Sequence, residues 1–145
     1  MPMTQAQLQS LVKRVDLFHG LTTADVDKIL SHGITQNFKK NEVIFYKGTV
    51  GSQMYIVLGG KVGVFDDRKN LIAELRTGDM FGEMALVTHE PRSANVAATE
   101  DGYLFVLTEN TFQKLLTKKV AIRILLNMVT VLSRRLKEAN LRASG

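Results

Sequence analysis

The chain contains no cysteine, which excludes disulfide bonds, zinc–thiolate sites and cysteine-held iron–sulfur clusters. It also lacks a long apolar run. The most apolar stretch, Val120 to Leu132, is interrupted by Arg123 and Asn127 and is too short to cross a bilayer. No basic segment followed by an apolar run opens the sequence, so no signal peptide is expected. These absences predict a soluble, cytoplasmic protein with no membrane contact.

Concentrated positive charge is missing as well. The net charge of +5 is spread along the chain, apart from the pairs Lys118-Lys119 and Arg134-Arg135. A nucleic-acid surface needs a clustered basic patch, so the sequence predicts no DNA binding by this chain. With 145 residues the chain is long enough to bury one sizeable core, and residues 1–145 are predicted to form a single domain.

Two short helices are predicted within residues 1–33. Apolar residues recur at helical spacing between Thr4 and Val15, which predicts an amphipathic helix. Thr22 is followed three residues later by Asp25, which resembles a capping box, and Gly33 lies where the second helix would end. Neither helix carries a residue with an evident chemical role.

Short runs of β-branched and aromatic residues, separated by turn residues, occupy residues 34–108. The predicted strands are Ile34–Phe38, Glu42–Tyr46, Met54–Leu58, Lys61–Phe65, Leu71–Leu75, Ser93–Thr99 and Tyr103–Leu107. The segments Gly59-Gly60 and Glu100-Asp101-Gly102 are predicted to be tight hairpin turns between successive strands. Many short, evenly spaced strands predict a jelly roll or barrel.

Helices are predicted again over residues 109–140. Thr108 is a candidate cap for Glu109–Leu116, and a long helix is predicted from Val120 to about Asn140. Its apolar residues at alternating spacings of three and four form a heptad seam of Ile122, Leu125, Val129, Leu132, Leu136 and Ala139. A second apolar stripe consists of Ile124, Met128 and Val131. The helix therefore has apolar surface both for its own domain and for a partner.

The segment from Gly78 to Ala94 has the composition of a binding loop for a small anion. Gly82 lets the backbone approach a ligand closely, and the helix formers after it would leave unpaired N–H groups at the start of a short turn. Arg92 presents a planar guanidinium that can bind two phosphate oxygens. Glu83 would repel a phosphate, so we expect it to accept hydrogen bonds from a hydroxyl group such as a ribose 2′-OH. Phosphate and ribose in one site indicate a nucleotide.

Two sequence segments carry a resemblance to a known family. Phe81-Gly82-Glu83-Met84-Ala85-Leu86, followed after four residues by Pro91-Arg92-Ser93-Ala94, resembles the phosphate-binding cassette of the cyclic-nucleotide-binding domains. That family includes catabolite activator protein and the regulatory subunits of cyclic-AMP-dependent kinase. The resemblance runs from about Leu17 to Leu136 and also rests on Tyr46-Lys47-Gly48, Tyr55 to Gly60, and Gly78-Asp79. It implies a mainly β fold, an eight-stranded antiparallel β-roll with N-terminal helices and a long C-terminal helix.

The resemblance also implies a set of ligand-binding residues. These are Phe81, Gly82, Glu83, Met84, Ala85, Arg92 and Ser93 in the cassette (residues 81–94), with Val64, Ile72 and Ala73 as apolar walls. The backbone of Gly82, Met84 and Ala85 would bind phosphate oxygens beside Arg92. Arg135 and Asn140 on the last helix are candidate base contacts. Ordinary core packing explains the apolar walls equally well.

No catalytic residue, metal ligand or cofactor is expected. The three histidines are isolated from one another, which argues against the metal-dependent enzymes that share the jelly-roll architecture. The predicted function is a non-enzymatic regulatory sensor that binds a cyclic mononucleotide and signals through its C-terminal helix to an effector protein. Ser93 resembles the cyclic-AMP pattern of the family, so cyclic AMP is the expected ligand and cyclic GMP the alternative.

The heptad seam predicts a homodimer through the C-terminal helix. Two other interpretations stay open. One is a ligand-free dimerisation or interaction domain, against which the intact Glu83 and Arg92 argue; for these two residues alone, the alternative to ligand binding is an ion pair within the loop. The other is the sensor fragment of a longer transcription regulator.

Overall fold

The computed structural model describes residues 3–115 and 118–144. The helices are α1 (Gln5–Arg14), a 3₁₀ helix (Asp16–Phe18), α2 (Thr23–Ser31), α3 (Met84–Val87), α4 (Glu109–Leu115) and α5 (Lys118–Ser144). The strands are β1 (Ile34–Phe38), β2 (Val43–Phe45), β3 (Gln53–Gly59), β4 (Val62–Phe65), β5 (Leu71–Leu75), β6 (Met80–Phe81), β7 (Asn95–Ala98) and β8 (Gly102–Thr108). The predicted β-roll with flanking helices is confirmed.

The strands form two four-stranded antiparallel sheets, with the orders β1-β8-β3-β6 and β2-β7-β4-β5. Strand β3 is buried on both faces. Its Met54 and Ile56 belong to an apolar cluster shared with the helices, whereas Tyr55 and Val57 belong to a second cluster shared with the other sheet. Because side chains alternate along a strand, β3 contributes to both cores of the molecule, and so does β8 with Phe105 and Leu107 on one face and Leu104 and Val106 on the other.

Both N-terminal helices begin with a capping box, of which only the one at Thr22 was predicted from the sequence. The Thr4 side chain accepts a hydrogen bond from the Gln7 N–H, and the Gln7 side chain accepts one from the Thr4 N–H. Thr22 and Asp25 form the same reciprocal pair at 3.1 and 3.2 Å. Each box satisfies two N–H groups that a helix start would leave unpaired.

The two predicted hairpin turns are wrong. Gly59-Gly60 lies where β3 ends before β4, and residues 100–102 lie where β8 begins after β7, yet the two strands at each turn lie in different sheets. The two turns pack against each other instead, since the N–H groups of Thr99 and Glu100 donate to the Lys61 carbonyl at 3.0 and 3.3 Å. At each of them the chain passes from one sheet to the other. The amino-acid composition of a turn does not distinguish such a connection from a hairpin.

Strand β6 was not predicted, because two residues are too few to show a period. It lies between Gly78 and Gly82, which both have positive φ, and it pairs with β3 through Tyr55↔Phe81 and Ile56↔Met80. The predicted strands at 42–46 and 93–99 are shorter in the structure, as β2 and β7. Long-range pairing, and not local propensity, sets these ends.

The predicted cap of α4 is confirmed, because the Thr108 hydroxyl accepts a hydrogen bond from the Thr111 N–H at 3.1 Å. The predicted end of that helix at Leu116 lies outside the described residues. Helix α5 is longer than predicted, from Lys118 to Ser144, since residues 141–143 are all compatible with a helix. None of the helices in the described ranges combines the length and apolarity that a bilayer crossing requires.

The two apolar stripes of α5 have different environments. Ile124, Met128 and Val131 are buried in the cluster that includes the N-terminal helices. The seam residues Ile122, Val129 and Leu136 are 58%, 60% and 63% exposed. Within one protomer the helix thus covers its second stripe and leaves most of its heptad seam accessible.

Asn127 attaches α5 to the N-terminal segment. The side chain is buried, and its amide donates to the carbonyls of Leu17 and His19, both at 2.8 Å. Asn127→Leu would leave both carbonyls unpaired, and we expect the free energy of unfolding to fall by about 2 kcal/mol. Urea denaturation measures the change. Thr130→Ala, an exposed site on the same helix, is the control, and equal effects of the two substitutions would contradict the anchoring role.

Candidate functional site

A cavity of about 690 Å³ lies between the cassette, the β2-β7-β4-β5 sheet and helix α5. All the predicted cassette and wall residues line it: Val64, Ile72, Ala73, Phe81, Gly82, Glu83, Met84, Ala85, Arg92 and Ser93. Arg135 lines it as well. Residues far apart in the sequence thus meet around one space that is open to a ligand.

The cassette backbone makes a sharp bend at Gly82, where φ is +74°. The one-turn helix α3 follows, and the Ala85 N–H donates to the Gly82 carbonyl at 3.2 Å. The phosphate contact predicted for Ala85 therefore competes with a hydrogen bond inside the cassette. A Cβ at Gly82 would lie 2.8 Å from a guanidinium nitrogen of Arg92, so the glycine is required by space as well as by conformation.

Arg92 lies under the cassette, with only 7% of its surface exposed. Its guanidinium donates to the carbonyls of Gly82 at 3.1 Å and Gln53 at 2.9 Å. Its backbone is held too, because the Arg92 N–H donates to the Thr49 carbonyl and the Gly48 N–H donates to the Arg92 carbonyl, both at 2.8 Å. The β2–β3 connection therefore fixes both the main chain and the side chain of this residue.

An aromatic face replaces a counter-ion at Arg92. The guanidinium carbon lies 4.3 Å from the centre of the Phe45 ring and 5.7 Å from that of Tyr55. Among the described residues, no carboxylate is within ion-pair distance of Arg92, so the alternative of a Glu83–Arg92 pair is wrong. Burial lowers the pKa of the Arg92 guanidinium, while the charge of Glu83 opposes that shift.

Glu83 is also buried, and its partner comes from α5. A nitrogen of Arg135 lies 3.6 Å from the Glu83 carboxylate, and another donates to the Met80 carbonyl at 2.6 Å. Next to it, Arg134 binds Asp16 of the 3₁₀ helix at 2.6 Å, a contact that raises the pKa of Arg134. Two adjacent arginines thus connect α5 to the cassette on one side and to the N-terminal segment on the other.

The prediction that Asn140 contacts the base is not supported by this geometry. Asn140 does not line the cavity and lies in a separate groove with Ser133, Leu136, Lys137 and Leu141. Five residues along an α-helix rotate a side chain by about 140°, so Arg135 and Asn140 lie on different faces. Glu138 and Arg142, which helical spacing from Arg135 would have indicated, line the cavity instead.

Phe45 is the main site residue that the sequence did not reveal. Phe45 lies in the predicted strand at 42–46, well before the cassette in sequence, and only the ladder between β2 and β7, with Phe45 opposite Val96, brings its ring to Arg92. No local spacing connects these positions. The Tyr46-Lys47-Gly48 motif was the nearest signal, because it opens the β2–β3 connection.

The cavity wall is electrically almost balanced. It carries the carboxylates Glu74, Asp79, Glu83, Glu90 and Glu138 and the guanidinium groups Arg92, Arg134, Arg135 and Arg142. Arg135 is already paired with Glu83 and with the Met80 carbonyl, and Arg134 is paired with Asp16 outside the wall. A ligand with a single negative charge is therefore matched better than a polyphosphate, whose extra charge would face nearby carboxylates.

Gly51 limits how far Arg92 can move. A Cβ at this position would lie 2.5 Å from the Arg92 guanidinium. We expect Gly51→Ala to displace the guanidinium from the Gln53 carbonyl, to weaken ligand binding by about tenfold and to lower the free energy of unfolding by about 1 kcal/mol. Gly48→Ala strains the backbone, where φ is +85°, but its added methyl has no neighbour within 4 Å. Because the Gly48 N–H binds the Arg92 carbonyl, we expect a larger loss of stability and a smaller loss of affinity than in Gly51→Ala. Similar losses of affinity in both variants, measured by calorimetry, would contradict the assignment.

The fold and the site together define a class of protein. A β-roll whose buried arginine faces a cavity closed by a C-terminal helix is a small-ligand-binding regulatory module. The model of the cyclic nucleotide-binding domain family matches residues 35–119, and the chain belongs to this family.

Known relatives agree with this assignment. The chain is 34% identical over 134 residues to the cyclic AMP receptor protein of Thermus thermophilus, covering 90% of this chain and 61% of that protein. It is 38% identical over 92 residues to a cGMP-dependent protein kinase of Plasmodium berghei, covering 63% of this chain and 11% of the kinase. The crystal structure of Thermus thermophilus catabolite activator protein superposes with a TM-score of 0.79 at 34% identity, covering 89% and 62% of the two chains.

Proposed function

We propose that this protein is a non-enzymatic regulatory sensor that binds a cyclic mononucleotide, with cyclic AMP as the preferred ligand. The observation that carries the proposal is Arg92, a buried cation in an accessible cavity with two carbonyls and an aromatic face around it but no carboxylate partner among the described residues. A buried charge of this kind is stabilised further by an anion that reaches it.

Glu83 supports the nucleoside part of the proposal. Its carboxylate lines the same cavity as Arg92 without pairing with it, so one side of the cavity attracts an anion and another accepts hydrogen bonds. A ribose hydroxyl beside a cyclic phosphate presents this combination. Because Arg135 contacts Glu83, binding of a ribose hydroxyl at Glu83 would change the contact between α5 and the cassette.

We propose that this change is the output of the sensor. Helix α5 carries Arg135 on the cavity side and the exposed seam elsewhere on its surface. A second copy of the chain is the proposed cover of the seam, and an effector protein is the proposed receiver of the signal. The size of the response is limited by the difference in nucleotide affinity between the two positions of the helix.

Isothermal titration calorimetry with cyclic AMP, cyclic GMP, 5′-AMP and a cyclic dinucleotide tests the ligand class. We expect cyclic AMP to bind most tightly and cyclic GMP more weakly by a modest factor, because Ser93 presents a hydroxyl where a threonine would hold guanine more rigidly. The extra charge of 5′-AMP should weaken its binding against the nearly balanced wall. Tighter binding of cyclic GMP than of cyclic AMP would overturn the proposed preference for adenine. Binding of 5′-AMP as tight as that of cyclic AMP would contradict the proposed preference for a cyclic phosphate.

A further inference from the structure

The positive charge of Arg92 is buried, and an aromatic ring stabilises it where a carboxylate would be expected. Arg92 is 7% exposed as a residue and has lost most of its hydration, and a buried arginine is commonly stabilised by a carboxylate. In this site such a carboxylate would also neutralise the attraction for an anion. The Phe45 ring, 4.3 Å from the guanidinium carbon, provides compensation of another kind, because its negative π face attracts a cation without carrying net charge.

The position of Phe45 follows from an irregularity in β2. The register between β2 and β7 shifts between Val43 and Phe45, so that three residues of β2 span two of β7. Bulges of this type redirect the side chains that follow them. The ring is then held by Tyr55 and Phe81, each with its centre 5.9 Å from that of Phe45. The aromatic group is therefore part of the packed structure and is not a mobile cover.

We propose that Phe45 is a positioning residue of the anion site. Its ring face stabilises the buried guanidinium and orients it, while the Gly82 and Gln53 carbonyls hold two of its nitrogens. The arrangement keeps Arg92 charged and in place and adds no negative charge beside the bound phosphate. The inference rests on the proposed function, since it assigns a role toward the same ligand.

A double-mutant cycle in the nucleotide-free protein tests the contact itself. Phe45→Leu, Arg92→Met and the combined variant are compared by urea unfolding. A coupling of about fivefold in the unfolding equilibrium constant is expected for a desolvated cation–π contact. Phe38→Leu provides the matched control, because Phe38 is buried in the same apolar cluster and has no ring contact with Arg92. Equal coupling for the two phenylalanines overturns the inference.

Nucleotide binding tests the role. Phe45→Leu should weaken cyclic AMP binding by about tenfold relative to Phe38→Leu, whereas Phe45→Tyr and Phe45→Trp should restore affinity because both keep an aromatic face. The chain contains no tryptophan, so the emission of Phe45→Trp reports this position alone and should shift when Arg92→Met is added. Wild-type affinity in Phe45→Leu overturns the inference. If the wild type binds no cyclic nucleotide, the proposed function fails, whereas the coupling measurement still decides the Phe45–Arg92 contact.

Discussion

Arg92→Ala is expected to abolish the stabilisation of this protein by cyclic AMP. For the wild type, a nucleotide at ~100 times its dissociation constant should raise the free energy of unfolding by roughly 2.7 kcal/mol. The substitution removes the proposed charge-assisted contact to the phosphate and the Arg92 donor to the Gln53 carbonyl, whereas the Gly82 carbonyl keeps its hydrogen bond from the Ala85 N–H. Thermal unfolding with and without the nucleotide measures the difference.

Two further variants separate charge from geometry at this site. Arg92→Lys keeps a positive charge but loses the planar fork that reaches both carbonyls, so we expect a partial loss of the nucleotide effect. Arg68→Ala removes an exposed arginine of the β4–β5 turn and should behave as the wild type. Equal nucleotide-dependent shifts in Arg92→Ala and Arg68→Ala would contradict the proposed binding site.

Val129→Lys combined with Leu136→Lys is expected to convert a homodimer into a folded monomer. Both side chains are at least 60% exposed on the seam of α5, so the substitution leaves the core of the protomer intact. In a symmetric dimer four apolar side chains would lose their cover, which corresponds to a weakening on the order of 10⁴-fold. Leu132 is a poorer choice, because it packs against the buried cluster of its own protomer.

Light scattering at micromolar concentration measures the oligomeric state, and circular dichroism confirms that the variant is folded. Ile34→Lys, at an exposed apolar position on the edge strand β1, is the control and should stay dimeric. A wild type that is monomeric both with and without nucleotide would refute the dimer. It would also remove the proposed coupling through paired helices, although nucleotide binding by the protomer would stand.

Much of the fold was predictable because its signals are local. The capping boxes at Thr4 and Thr22 act over three residues, and alternating apolar runs marked the longer strands. The two-residue strand β6 and the turns at Gly59-Gly60 and residues 100–102 were missed or assigned wrongly. Strand β6 and both turns depend on how the strands pair in the folded protein. A turn has the same composition whether it connects paired strands or strands of different sheets.

The candidate site also has a part that the sequence predicted and a part that it did not. The cassette from Phe81 to Ser93 was recognisable in the sequence, because a glycine bend, a short helical turn and an arginine are consecutive features of one segment. The sequence by itself therefore determined the family of the protein and predicted Arg92 as its anion-binding group. Family resemblance alone pointed to Asn140, and the helical rotation between Arg135 and Asn140 directs Glu138 and Arg142 to the cavity in its place.

Only the tertiary structure decided how Arg92 is held. Its carbonyl acceptors come from Gly82 and Gln53, and its aromatic face comes from Phe45, on three separate segments. Likewise, packing buried the stripe of Ile124, Met128 and Val131 and left the heptad seam exposed. The physical reason is common to both cases: desolvation of a charge or of an apolar face depends on contacts between distant segments, and these exist only after the chain has folded.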